Sequence, residues 1–174
     1  LESGVDDGKF TPMSLVLDEK GGKLFTVSIG TPEEAVIDVA SGEVEKVIDL
    51  GNSISASGVA FDAARNRLYV ASQGTDNLLI VDVAAGKVLH DVPVGAGALN
   101  VAFDDASGLA YVSNRGAGTV TVVDREGKVV ANLDGGTLPN HVRADGKGNV
   151  FAVNKSRGAE AVSYTHLRAH ETSL

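Results

Sequence analysis

A short pattern recurs four times along this chain: an apolar residue, an aromatic residue, two small or β-branched residues, then Ser or Asn. The aromatic residues are Phe25, Tyr69, Tyr111 and Phe151, at intervals of 44, 42 and 40 residues. Three of the repeats also carry a later apolar segment that ends in an aspartate, and these aspartates are Asp38, Asp82 and Asp124. A fixed period of this length predicts an architecture of stacked units.

Each repeat contains four short segments rich in β-branched and aromatic residues, separated by clusters of Gly, Asn and Asp. In the second repeat the segments are 58–61, 67–71, 77–83 and 87–94. Such runs are typical of strands joined by hairpins, and no stretch has the 3.6-residue period of a long helix. Four strands in about 40 residues is the content of one β-propeller blade. The sequence therefore predicts an all-β protein, a partial β-propeller of about three and a half four-stranded blades.

The segment from Ala110 to Asp124, which reads AYVSNRGAGTVTVVD, resembles the repeat of the YVTN-repeat β-propellers. The resemblance covers roughly residues 11 to 160 and is greatest to the YncE-like proteins. It implies a propeller of seven blades, of which this chain would be the C-terminal half. It also implies an extracytoplasmic, mostly periplasmic location, with a signal peptide upstream of Leu1. The repeat is specific for architecture and weak for activity, because one fold hosts many functions.

The repeat boundaries divide the chain into successive segments. Residues 1–10 are expected to be the tail of a preceding blade, 11–51, 52–95 and 96–136 to be whole blades, and 137–160 an incomplete final blade. Residues 161–174 form a different kind of segment, because Val162 to Thr172 match one reading frame of a common transposon-type sequencing adapter. We interpret this tail as adapter sequence translated onto a truncated metagenomic gene, and expect it to pack little against the blades.

Composition limits the possible chemistry. The absence of Cys excludes disulfides, a thiol nucleophile and thiolate metal ligands. The formal net charge of −8 argues against a general nucleic-acid coat, which needs clustered Lys and Arg. No apolar run approaches the ~20 residues that span a bilayer. The sequence contains no nucleophile elbow, phosphate-binding loop or dinucleotide fingerprint, and it predicts no catalytic residue, metal or cofactor.

Most of the recurring carboxylates are interpreted as structural. Asp38, Asp82 and Asp124 precede the third hairpin turn of their repeats, where a carboxylate can accept hydrogen bonds from turn N–H groups. A second set precedes the first hairpin turn and comprises Asp18, Asp62, Asp104 and Asp145. A feature present in every repeat builds the fold, so function is sought where the repeat is broken.

The repeat is broken by basic residues in its last two units. The loops after the second strands are neutral or acidic in the first two units and basic in the last two. Those loops and the inter-blade loops lie on one face of a propeller, so their cations are expected to converge on an anion. The predicted ligand-binding residues are Asn114, Arg115, Asn140, His141, Arg143, Lys155 and Arg157. The alternative interpretation is a face of ordinary, solvated surface charges.

Two classes of function follow. The favoured one is a non-catalytic extracytoplasmic binding or scaffold module, with a protein, a polymer or an anionic small ligand as its partner. The alternative is part of a lactonase-type propeller hydrolase whose active site lies mainly in other blades. A third interpretation, single-stranded nucleic-acid binding, needs exposed aromatic residues for base stacking, and the basic loops contain none.

Overall fold

A computed structural model of the chain describes residues 10–155 and the backbone of one further strand, Tyr164–Arg168. The first sheet consists of β1 (Pro12–Asp18), β2 (Lys23–Ser28), β3 (Glu33–Asp38) and β4 (Val44–Asp49). The second consists of β5 (Ala56–Asp62), β6 (Arg67–Ser72), β7 (Asn77–Asp82) and β8 (Lys87–Pro93). The third consists of β9 (Ala98–Asp104), β10 (Leu109–Asn114), β11 (Thr119–Val123) and β12 (Val129–Asp134). The fourth consists of β13 (Pro139–Ala144), β14 (Asn149–Asn154) and β15 (Tyr164–Arg168).

Strand order follows chain order in every sheet, and each pairing for which a register is given is antiparallel. The described residues form strands and turns and contain no helix. The prediction of an all-β, partial β-propeller is therefore confirmed. The strands of the first three sheets lie within the ranges 11–51, 52–95 and 96–136. The division of the chain into blades and a non-native tail stays a prediction.

Apolar residues on both faces of the strands build the core between successive sheets. The innermost strands β1, β5, β9 and β13 lie side by side in that order. Three apolar clusters fill the interfaces between neighbouring sheets. They lie between the first and second sheets, the second and third, and the third and fourth. The recurring aromatics Phe25, Tyr69 and Tyr111 are at most 1% exposed within these clusters. The aromatic repeat therefore marks the packing between blades.

The recurring aspartates cap turns, as the sequence predicts. Asp38 accepts a hydrogen bond from the backbone N–H of Ser41, and Asp82 accepts one from Ala85. The Asp124 carboxylate accepts two, from the N–H groups of Glu126 and Lys128. The set before the first hairpin turn does the same, and each of its members accepts at least one turn N–H (Asp18, Asp62, Asp104 and Asp145).

Replacing Asp124 with alanine is expected to lower the free energy of unfolding by about 1 kcal/mol, because two turn N–H groups lose a charged acceptor. The same change at Asp82, which accepts one such bond, should cost less. Urea denaturation of both variants measures the two effects. Equal stability of the Asp124 variant and the parent would show that the capping bonds contribute nothing net.

The tail departs in part from expectation. The backbone of Tyr164–Arg168 forms an antiparallel ladder with β14, as the third strand of the last sheet. The expectation that the tail packs little is therefore wrong for this segment. The physical reason is that a sheet edge offers unpaired N–H and C=O groups, which accept an added strand with little regard to its side chains. The adapter origin of the tail stays a prediction.

Candidate functional site

The innermost strands surround a pocket at the end of the fold where these strands begin, which we call the upper end. Its walls come from two successive residues of β1, β9 and β13, from one residue of β5, and from one residue of a loop. The lining residues are Met13, Ser14, Ser57, Leu99, Asn100, Asn140, His141 and Arg115. We call this cavity of about 350 Å³ the mouth pocket. Its volume lies in the range of small-molecule sites.

Arg115 reaches the mouth pocket from the loop between β10 and β11. The backbone N–H of Arg115 donates to the carbonyl of Gly97, and Gly116 donates to Ala96, so this loop lies directly on the preceding inter-sheet loop. Gly97 has φ = 71° and lies so close to Gly116 that a side chain at Gly97 would collide with its backbone. The close contact between these two glycine-containing loops therefore fixes the position of the Arg115 backbone, from which its side chain extends to the pocket.

Asn140 and His141 reach the pocket from the fourth sheet. They lie near the start of β13, and the next residue, Val142, donates its backbone N–H to Oδ1 of Asn100 over 3.0 Å. The same asparagine lines the pocket. This bond ties β13 to β9 at the level of the pocket, so the polar groups of the third and fourth sheets share one wall.

The pocket is positively biased. None of its lining residues is acidic, and within the described residues Arg115 and His141 form no ion pair. Two arginines elsewhere in the described chain do have acidic partners: Arg65 pairs with Glu126 at 2.9 Å, and Arg125 pairs with Asp62 at 2.7 Å. A cation without a carboxylate partner beside polar Asn and Ser side chains can bind an external anion.

Arg143 lies farther from the upper end, in a second cavity of about 300 Å³ between the innermost strands. Its side chain is exposed and, within the described residues, has no ion-pair partner. His141 lines this second cavity as well as the mouth pocket, so the two cavities share a wall. The structure thus brings four of the seven predicted residues, Arg115, Asn140, His141 and Arg143, to two adjoining cavities.

The other predicted residues are placed differently. Asn114 is 0% exposed, and its amide group donates to Thr119 and Thr121 at 3.0 and 2.8 Å, inside the third sheet. Lys155 is exposed, is anchored by its backbone to Leu138, and lines neither cavity. Arg157 lies outside the described residues.

Residues 10–155 and Tyr164–Arg168 contain neither a cluster of possible metal ligands nor a candidate membrane-spanning helix. This part of the chain contains no group of three or more His, Asp or Glu residues arranged to hold a metal ion. It also contains no helix with the length and apolarity needed to cross a bilayer. The lactonase-type alternative, whose site would lie mainly in other blades, stays a prediction.

Sequence reasoning missed two groups of residues. The polar wall residues Ser14, Ser57 and Asn100 occupy the two repeat positions that His141 and Asn140 occupy in the last unit, and aligning the innermost strands would have found them. The buried carboxyl of Glu34 was also missed, although Leu78 and Val120 stand at the equivalent positions of the next two repeats. That break in the repeat was visible in the sequence.

Comparison with protein-family models finds no match, and comparison with curated proteins finds none either. Solved structures do match. The chain is similar to hydrazine synthase of Kuenenia stuttgartiensis with a TM-score of 0.84 and 16% identity, over 96% of this chain and 48% of that one. It is also similar to a chain in a nidogen/laminin complex, with a TM-score of 0.70 and 17% identity, over 83% of this chain and 56% of the other.

These likenesses concern the fold alone, because the identities are low. They agree with the β-propeller architecture described above. The chain spans about half the length of the solved structures it matches. Since propellers host many unrelated functions, the function of this chain has to be argued from the chemistry of its own pocket.

Proposed function

We propose that this chain is a non-catalytic binding module of the YVTN-repeat type, and that its mouth pocket binds an anionic group on a small ligand, a polymer or a protein. The proposal rests chiefly on one observation: Arg115, Asn140 and His141 line one cavity that has no acidic wall residue. The proposal includes an extracytoplasmic location, because the repeat resembles that of the YVTN-repeat β-propellers, for which such a location is expected.

Each pocket residue has a distinct role in this proposal. The planar guanidinium of Arg115 can form two parallel hydrogen bonds to a carboxylate or phosphate. The His141 imidazole adds an N–H donor, and the Asn140 side chain can donate from its amide group. Met13 and Leu99 supply apolar wall on the other strands. The arrangement favours an anionic group carried on a short, partly apolar body.

Replacing Arg115 with alanine is expected to weaken the binding of citrate at least tenfold, because a charge-assisted hydrogen bond contributes roughly 1.5–3 kcal/mol. Isothermal titration calorimetry with citrate and with inorganic phosphate, on the full chain, measures the affinities. Lys155→Ala is the matched control, since it removes one positive charge outside the pocket walls.

The pair of variants separates the pocket from general surface charge. If Lys155→Ala weakens binding as much as Arg115→Ala does, the effect comes from net charge, and the pocket proposal is wrong. The same holds if the parent chain binds neither anion at millimolar concentration. Urea denaturation of both variants checks that stability is unchanged.

A further inference from the structure

A large apolar side chain is exposed at the upper end, directly before the last innermost strand. Leu138 immediately precedes β13 and is 38% exposed. It lies in the loop between β12 and β13, and it belongs to none of the three apolar clusters between the described sheets. Packing inside the described part of the chain therefore does not account for a leucine at this position.

The backbone conformation of Leu138 is unfavourable for its residue type. Its φ is 54°, in the left-handed region. The equivalent residues, directly before β5 and β9, are Ser55 and Gly97, with φ of 57° and 71°. This conformation brings Cβ close to a carbonyl oxygen, which is costly for leucine and not for glycine. Strained backbone is concentrated at ligand-binding sites. A contact between the Leu138 side chain and a ligand would explain why a leucine stands here.

Positive charge lies near Leu138 at two places. On one side, the carbonyl of Leu138 accepts the backbone N–H of Lys155 over 3.0 Å, and the Lys155 side chain is exposed. On the other side, Asn140 and His141 follow Leu138 in the chain and line the mouth pocket together with Arg115. Within the described residues, neither Lys155 nor Arg115 forms an ion pair. The surface thus presents an exposed leucine between two sources of unpaired positive charge.

A ligand that contacts all three features has to extend beyond the mouth pocket. Arg115 lines the pocket, whereas Leu138 and Lys155 do not. A small anion bound by Arg115 would leave the other two side chains unused. A nucleic acid would need aromatic side chains for base stacking, and the described loops at the upper end carry none. A peptide with acidic and large apolar side chains matches both the charge and the apolar surface.

We infer that the upper end binds a short peptide segment in which acidic residues flank a large apolar residue. This rests on the proposed function, because one carboxylate of the peptide enters the mouth pocket and pairs with the guanidinium of Arg115. The apolar side chain of the peptide packs on Leu138, and the second carboxylate pairs with Lys155. An exposed ion pair contributes little, so Arg115 and Leu138 determine most of the affinity.

Isothermal titration calorimetry of the full chain with the peptide acetyl-Ala-Glu-Leu-Glu-Ala-amide tests the inference. The same peptide with Gln in place of both Glu residues should bind at least tenfold more weakly. Leu138→Ala should weaken the binding of the Glu peptide about tenfold and leave the affinity for citrate unchanged. Ile54→Ala is the matched control, since Ile54 is 61% exposed in the loop between the first and second sheets. It should leave both affinities unchanged.

Two further variants separate ligand contact from a structural role. Leu138→Gly should weaken peptide binding and also raise the urea midpoint of unfolding. The midpoint rises because the left-handed backbone costs leucine more than the added freedom of the unfolded chain costs glycine. A leucine that only stabilises the fold would give a lower midpoint. Lys155→Ala should weaken peptide binding about threefold and leave citrate binding unchanged, because citrate does not extend beyond the pocket.

The outcomes distinguish this inference from the proposed function. A parent that binds citrate through Arg115 but binds the Glu and Gln peptides equally would overturn the peptide inference alone. The same holds if Leu138→Ala and Ile54→Ala have equal effects, or if oligothymidylate binds the parent more tightly than the Glu peptide does. A parent that binds neither citrate, inorganic phosphate nor the peptide would overturn both. Denaturation curves confirm that each variant is folded.

Discussion

Replacing Glu34 with leucine is expected to raise the free energy of unfolding by about 3 kcal/mol at pH 7, and by more at pH 8. Glu34 lies on β3, where its cross-strand neighbours are Val27 and Ile48. Both neighbours belong to the apolar cluster between the first and second sheets. Directly opposite residues share a face, so the carboxyl group enters the same cluster.

The environment of Glu34 offers no compensation for its charge. The residue is 0% exposed, and neither carboxyl oxygen has a hydrogen-bond partner among the described residues. Burial raises the pKa of Glu34 from its ordinary value of 4.5 to about 8, and burial is the only cause of the shift. Lys46 on the adjacent strand β4 does not neutralise it, because its ammonium group binds the carbonyls of Val83 and Ala84 in the second sheet.

The direction of the pH dependence follows from the raised pKa. A carboxyl whose pKa is higher in the folded state favours folding most when both states are protonated, below about pH 4.5. As pH rises from 4.5 to 8, the unfolded state releases its proton and the folded state keeps it, so stability falls. Each unit of pH in this interval costs about 1.4 kcal/mol. Above pH 8 the loss is complete and the contribution is constant.

Denaturant titrations at pH 5 and pH 8 measure this effect. The parent should lose stability between these values, and Glu34→Leu should remove that loss. Glu34→Gln should also remove it while keeping nearly the same shape, which separates charge from packing. Glu43→Gln, at an exposed glutamate beyond the end of β3, is the control and should behave as the parent does. An unchanged pH dependence in both Glu34 variants would show that this carboxyl does not titrate as described.

The repeat in the sequence was sufficient to predict the architecture, because each blade uses the same residue types for the same local structural roles. The aromatic at Tyr69 or Tyr111 is buried between sheets, and the aspartate at Asp82 or Asp124 caps a turn. These are short-range features that recur at fixed positions. The ligand-binding residues are harder to predict, because a loop side chain is positioned by contacts between different repeats.

Asn114 illustrates the difficulty. Its place beside Arg115 suggested a ligand, yet the last residue of each of the four second strands is buried (Ser28, Ser72, Asn114 and Asn154). Ser28 shows why, since its hydroxyl accepts the backbone N–H groups of Gly30 and Thr31 in the following loop. This position recurs in every repeat and builds the fold. Arg115 has no such recurring role, and it lines the mouth pocket.

Arg125 also breaks the repeat. It connects the second and third sheets at the end of the fold opposite the mouth pocket, which we call the lower end. It stands where Val39 and Val83 stand in the first two units. Its Nε donates to Oδ2 of Asp62 over 2.7 Å, and its guanidinium lies 5.1 Å from the centre of the Phe103 ring. The Asp62 side chain is 0% exposed. One arginine of the third sheet thus neutralises a buried carboxylate of the second.

Replacing Arg125 with leucine is expected to lower the free energy of unfolding by roughly 3–5 kcal/mol, because removing one partner of a buried pair leaves an uncompensated charge. The turn N–H groups of Ala64 and Arg65 still reach Asp62, but they carry no net charge. Urea denaturation at pH 7 measures the loss. Arg65→Leu is the matched control at the same boundary, since its partner Glu126 is exposed, and it should cause no measurable change.

A double-mutant cycle isolates the interaction. Asp62→Asn keeps an oxygen for the turn N–H groups and removes the buried charge, so Arg125→Leu should cost much less in that background. If Arg125→Leu were equally destabilising in the parent and in the Asp62→Asn background, its cost would come from lost packing on Phe103. A coupling of several kcal/mol would instead show that the ion pair holds the second and third sheets together. The packing between sheets would then depend on charge at the lower end and on apolar contacts elsewhere.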